Sequence, residues 1–139
     1  TNIQRLKPED AGSARIGELK MRVSLKELTF SVGNILQDRN VKTIGNFEKQ
    51  VKKDAIINGG GGNSVTTILD SIQAGADVFI TADVKYNVAR LIKDLGFSLI
   101  SFGHYESEMP FLDLIKKVLE NNFPLLEVIK ATKCSNPYN

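Results

Sequence analysis

The second half of the chain repeats one unit, a short apolar run followed by a segment whose apolar residues recur at helical spacing. Residues 55–58, 78–82 and 98–102 are the apolar runs, and residues 65–73, 85–95 and 111–121 carry the helical period. Gly75 and Gly96 stand where two of these helices should stop. Residues 125–131 read as a last strand. Continuous apolar strands must be covered on both faces, and the intervening helices have the length that a crossover needs. The pattern therefore predicts an α/β fold, a mostly parallel or mixed sheet with helices on both faces.

The first half carries a sharper local signal. Ser24 followed by Glu27 forms a capping-box pattern ahead of a helix over residues 25–36. Leu25, Leu28, Val32, Ile35 and Leu36 fall on one face of that helix, which should pack on the sheet. Residues 41–45 read as a strand, and the lysine-rich residues 46–53 as a solvated face. Residues 11–19 are rich in small side chains and suit an irregular lead into a short strand. The chain opens on Thr1 with a polar entry around Lys7 and Pro8, the pattern of a linker and of a piece of a longer protein.

Composition limits the function classes. A length of 139 residues with 42% hydrophobic and 24% charged residues is enough for one ordinary core. A net charge of +2 with dispersed lysines gives no nucleic-acid signature. The single cysteine, Cys134, rules out an internal disulfide and a cysteine zinc cluster, and is read as a free thiol in a reducing compartment. No apolar run approaches the length of a membrane span and no signal pattern is visible, so a cytoplasmic protein is expected.

The chemistry concentrates in residues 99–110. His104 is the only histidine, and Glu108 follows at the spacing that lets an imidazole and a carboxylate converge on one point. Both are ordinary ligands for Zn, Mn, Fe or Ni, and the ends of strands are where open α/β sheets place their sites. The competing reading is a histidine hydrogen-bonded to a neighbouring carboxylate or carbonyl. Pro110 suits a helical first turn, so the helix is expected to begin at Ser107 or Glu108.

The four glycines 59–62 lie between a predicted strand and a predicted helix, where exposed backbone N–H groups could cradle a phosphate. They lack the Gly-Lys-Ser/Thr ending of a P-loop. They also lack the regular dinucleotide spacing, a role into which Asp77 or Asp83 would have to be forced. A tight turn that only glycine can make is the competing reading.

Gly59-Gly-Gly-Gly-Asn-Ser64, Ala74-Gly-Ala-Asp-Val-Phe-Ile-Thr-Ala-Asp83-Val-Lys-Tyr86, Gly103-His-Tyr-Glu-Ser-Glu108 and Asn136-Pro137 together resemble the C-terminal half of the NIF-three-like proteins, the GTP cyclohydrolase I type 2 homologues. Gly12-Ser-Ala-Arg-Ile-Gly17 is similar to the segment that joins the two halves in that family. The resemblance implies residues 1–20 as an inter-lobe segment and residues 21–139 as one lobe of a two-lobed fold assembled into hexamers. It implies a dinuclear divalent-metal site to which His104 and Glu108 contribute, the other ligands coming from the absent lobe. It also implies a metal-dependent hydrolase for a nucleotide or phosphorylated compound, or alternatively a non-enzymatic scaffold or regulatory interaction protein. Asp83 is the remaining polar candidate, as a substrate or supporting group or as a helix cap. Two positions depart from the family pattern: Ala82 stands where Thr-Gly-Asp/Glu has glycine, and Asn87 where a histidine is common.

Overall fold

A computed structural model describes residues 2–5 as backbone and residues 14–132 and 136–137 in full. Among these residues, six strands form one sheet in the order β1-β2-β4-β5-β6-β3. The strands are β1 (Asn2–Arg5), β2 (Arg15–Ser24), β3 (Lys42–Ile44), β4 (Gln50–Ile57), β5 (Val78–Ala82) and β6 (Ser98–Phe102). The helices are α1 (Leu25–Leu36), α2 (Val65–Gln73), α3 (Tyr86–Asp94) and α4 (His104–Asn122).

The centre is parallel and the flanks are antiparallel. β4, β5 and β6 run parallel, with Ala55 beside Phe79 and Phe79 beside Leu99. β2 pairs antiparallel with β1 and β4, and β3 pairs antiparallel with β6. Every residue of β5 and β6 is buried, as the continuous apolar runs demand. The fold is a mixed α/β sheet covered on both faces.

Each face has its own core. Ala55, Ile57, Phe79 and Leu99 pack with Ile68 of α2 and with Val88 and Ile92 of α3. Val51, Val78, Ile80, Ile100 and Phe102 pack on the other face with Leu25 at the start of α1, against which Leu28, Val32 and Leu36 also rest. α1 begins in a complete capping box: Glu27 N donates to Ser24 Oγ at 3.1 Å and Ser24 N to Glu27 Oε2 at 2.8 Å.

Several expectations are corrected. Ile35 is 75% exposed and leaves the packed face of α1 to the other four residues. Arg15–Leu19, expected to be irregular, already belong to β2, a ten-residue strand that runs across residue 20. Lysines in the segment 46–53 are not simply solvated. Lys49, Lys52 and Lys53 send their ammonium groups to the carbonyls of Asp77, Leu19 and Ala74, and β4 begins at Gln50. No strand forms over residues 125–131: Leu125 is fully exposed and Ile129 is 78% exposed, with no neighbouring strand to pair them. This segment instead lies back along α4, where Lys116 Nζ meets the Val128 carbonyl and Lys130 pairs with Asp113. α4 begins at His104, three residues before the expected start, which puts Pro110 inside the helix and leaves the Glu106 carbonyl without its helical donor. Cys134 lies outside the described residues. Among the described residues, no helix is long and apolar enough to cross a membrane.

Candidate functional site at the C-terminal edge of the sheet

The three parallel strands end side by side, and each hands the chain to a polar loop. Asn58 follows β4, Asp83 follows β5, and Gly103 with His104 follows β6. Strand ends of this kind are where parallel sheets collect their functional side chains.

His104 and Glu108 converge as their spacing predicts, with Nε2 of the ring 2.8 Å from Glu108 Oε1. Asp83 joins them from the other side, its Oδ2 3.3 Å from His104 Nδ1. The ring thus lies between two carboxylates, Asp83 at Nδ1 and Glu108 at Nε2. All three side chains are about half exposed or more. The two carboxylates sit at opposite ends of the imidazole, and the Nε2 contact is a direct hydrogen bond to Glu108, the competing reading of this histidine. Accordingly, no group of three or more metal-binding side chains converges among the described residues.

Asp83 is not a helix cap. Lys85 holds that position for α3, and Asp83 adopts a left-handed backbone with φ of 50°. Two contacts hold it there. Asp83 N donates to the Phe102 carbonyl at 3.1 Å, and Asn63 clamps the loop, its Nδ2 donating to the Asp83 carbonyl at 3.1 Å while its Oδ1 accepts from Lys85 N at 2.8 Å.

The glycine segment folds as a short 3-10 helix, Gly59–Asn63, leading to Ser64, whose hydroxyl caps α2 by accepting from Thr67 N at 3.3 Å. Gly62 lies so close to β5 that an added Cβ would stand 1.9 Å from Thr81 Oγ1. Close approach explains that glycine, and Gly59 has the left-handed φ of 71°. The segment is a tight connector that also reaches the site: Ser107 Oγ on α4 donates to Asn58 Oδ1 at 3.0 Å. Asp77, the other acid weighed for a nucleotide role, is spent on the sheet, its Oδ2 accepting from the backbone N–H groups of Lys52 and Lys53.

Three contributors escape sequence reasoning. Asp38, 9% exposed after α1, accepts from Gly103 N at 2.8 Å. Asn63 and Asn58 make the contacts above. Asp38 leaves no trace in sequence, because its partner lies 65 residues away. Asn63 has only local turn and helix-cap signals, and Ser64 takes the cap of α2. At the far end of the chain, Asn136 Nδ2 donates to Glu106 Oε1 at 3.3 Å, bringing the Asn136-Pro137 pair to the first turn of α4. Asn87, in place of the expected histidine, is exposed on α3.

Comparison with known proteins gives the chain a family and relatives. The family model described as Duf34/NIF3 (NGG1p interacting factor 3) matches residues 1–137. A GTP cyclohydrolase 1 type 2 homolog of Clostridium perfringens is 29% identical over 130 residues, covering 93% of this chain and 48% of the relative. A Bacillus subtilis protein of the same name is 34% identical over 102 residues, covering 73% of this chain and 26% of the relative. Among solved structures, a hypothetical protein of Staphylococcus aureus superposes with a TM-score of 0.80 at 26% identity, over 91% of this chain and 42% of that one. The reduced form of HcgD from Methanocaldococcus jannaschii gives a TM-score of 0.73 at 25% identity, over 90% of this chain and 48% of that one. The chain thus spans no more than about half the length of these relatives.

Proposed function

Because the chain belongs to the Duf34/NIF3 family, we propose that it is a metal-binding protein whose His104 and Glu108 supply part of a two-metal hydrolytic site for a nucleotide or another phosphorylated compound. The observation that carries this reading is the 2.8 Å approach of His104 Nε2 to Glu108 Oε1 at the exposed edge of the sheet. An imidazole and a carboxylate suit divalent Zn, Fe, Mn or Ni. They are half of a tetrahedral ligand set, so the remaining donors are expected from the part of the relatives' length that this chain does not span. When bound, such ions polarise a phosphoryl group or a ring carbon and activate water. Within this chain, His104 and Glu108 would hold the ions, while Asp83, 3.3 Å from Nδ1, would fix the direction of the ring. The nucleotide substrate class follows the relatives' name; their cyclohydrolase reaction is not carried over. A cytoplasmic location goes with this reading and with the single cysteine.

The test is metal content. Protein expressed from the complete gene should carry metal, and the same protein with His104→Ala should lose it. Equal content in both rejects the site.

A second reading, a non-enzymatic scaffold or regulatory interaction protein, draws on α4. No residue of this helix is buried, and Phe111, Leu114 and Val118 are 59%, 59% and 44% exposed. Apolar surface of that extent is usually covered by protein. Here the cover would be an oligomer, a hexamer on the family pattern. This reading expects Glu108→Gln to leave the biological role intact and polar changes along α4 to abolish it.

A further inference from the structure

We infer that Asp38 is a positioning residue for the His104 and Glu108 pair, its buried carboxylate fixing the point at which the chain leaves β6 and thereby the direction in which His104 projects. This deepens the metal-site reading and rests on it.

The carboxylate of Asp38 accepts two backbone protons. Oδ1 takes Asn40 N at 2.7 Å, which would suffice to make a local turn after α1. Oδ2 takes Gly103 N at 2.8 Å, across 65 residues, and contributes nothing to that turn. Gly103 is the N-cap residue of α4, extended at φ −70° and ψ 144°, and makes no side-chain cap of its own. Its N–H is thus held by a carboxylate brought from a different element, and a charged acceptor gives a stronger and more directional bond than a neutral one. The negative charge also sits where the dipole of α4 favours it. Asp38 is anchored in turn, its own N–H donating to the Gly33 carbonyl at 3.0 Å.

The site consequently has two separate supports. Asn63, on the segment after β4, holds Asp83, and Asp38, after α1, holds Gly103. His104, the residue after Gly103, meets Glu108 within α4, but it reaches Asp83 across two loops only if both supports hold. Gly103 has no side chain of its own to restrict its backbone, and an added Cβ would meet the mobile end of Glu106 at 2.0 Å. The hydrogen bond that Gly103 N donates to Asp38 Oδ2 restricts the backbone there.

A single histidine makes the test direct. The imidazole nitrogen and carbon-bound proton resonances of His104 are recorded by NMR on the full chain without metal, for the parent, Asp38→Ala and Asp38→Asn. Asp38→Ala is expected to keep a dispersed spectrum while the ring signals move toward those of an unrestrained imidazole and the ring loses its contact with Asp83. Asp38→Asn, which can accept only one of the two protons, should give an intermediate position. Zinc affinity of protein expressed from the complete gene should weaken by about tenfold with Asp38→Ala, the lower end of losses seen when supporting groups are removed. Ring signals that superimpose on the parent in folded Asp38→Ala overturn the proposal. If Asp38→Ala does not fold, Asp38→Asn decides: a displaced Gly103 amide with an unmoved His104 ring overturns it, and a displaced ring supports it. Failure of the metal reading is distinguishable, because it appears as protein from the complete gene that zinc leaves unchanged while the ring signals of this chain still depend on Asp38.

Discussion

Thr81 Oγ1 occupies the space that a β-carbon on Gly62 would need, at a separation of 1.9 Å. Both residues are buried, so neither has room to retreat. Gly62→Ala should therefore destabilise the chain by roughly 1–3 kcal/mol, the usual range for overpacking. Removing the obstructing oxygen in Gly62→Ala/Thr81→Ala should recover part of the loss. Urea denaturation of the three variants checks this, and equal stability of the single and double variants would contradict it.

Asp54, on β4, gives a pH dependence of known sign. Burial raises its carboxyl pKa above the usual carboxylate range, and among the described residues its Oδ1 has no hydrogen-bond partner. The folded chain thus holds this proton more tightly than the unfolded chain. Its contribution is most favourable below the ordinary value of 3.8, declines as pH rises through the raised folded value, and stays lost at neutrality. Asp54→Asn should stabilise the chain at pH 7 by about 1 kcal/mol, the low end of the cost of an unpaired buried polar atom. The gain should shrink at pH 3. Thermal unfolding at the two pH values is the measurement, and a gain independent of pH would refute the assignment.

Asp83 should tune metal affinity without being a ligand. With His104 Nε2 and Glu108 left in place, Asp83→Ala should weaken zinc by roughly 10- to 100-fold while His104→Ala abolishes it. Isothermal calorimetry on protein from the complete gene separates these outcomes. Equal losses in the two variants would make Asp83 a ligand.

The exposed face of α4 should govern association. Phe111→Glu/Leu114→Glu alters side chains that are both 59% exposed, so the melting temperature should change little. Analytical ultracentrifugation of the parent should detect concentration-dependent assembly that the double variant lacks. Identical sedimentation of the two would remove this face from consideration.

The capping box of α1 offers a local control. Ser24→Ala removes the acceptor for Glu27 N, and a loss of about 1 kcal/mol is expected in chemical denaturation. An unchanged midpoint would mean that the packing of Leu25 alone starts the helix.

What could be read from the residues followed the strength of the local pattern. β5 and β6 are mostly apolar, broken only by Thr81, Ser98 and Ser101, and α1, α2 and α3 carry their own caps, faces or stops, so their sequences alone locate them. His104 and Glu108 were legible because one helical turn separates them. β2 was less so, since a flanking antiparallel strand with Glu18, Lys20 and Arg22 carries no continuous apolar run. Pro110 pointed to the wrong start for α4, because proline's preference for a first turn is a tendency that the contacts around Gly103 override. Residues 125–131 have a strand's composition but no ladder to join. The placing of Asp83 against the ring depends on a left-handed loop residue and a clamp from Asn63, and neither has a period in sequence.

The order of the sheet carries a consequence for how this chain tolerates change. Asn58, Asp83 and His104 all leave from the inner parallel trio, whereas β1 and β3 form the two rims and supply none of the three. Insertions, charge swaps or strand shortening at those rims can accumulate without retuning the distances between the working side chains. Mutational scanning should accordingly find a permissive perimeter around an intolerant centre, with Asp38 as an outlying point of intolerance far from the centre in sequence.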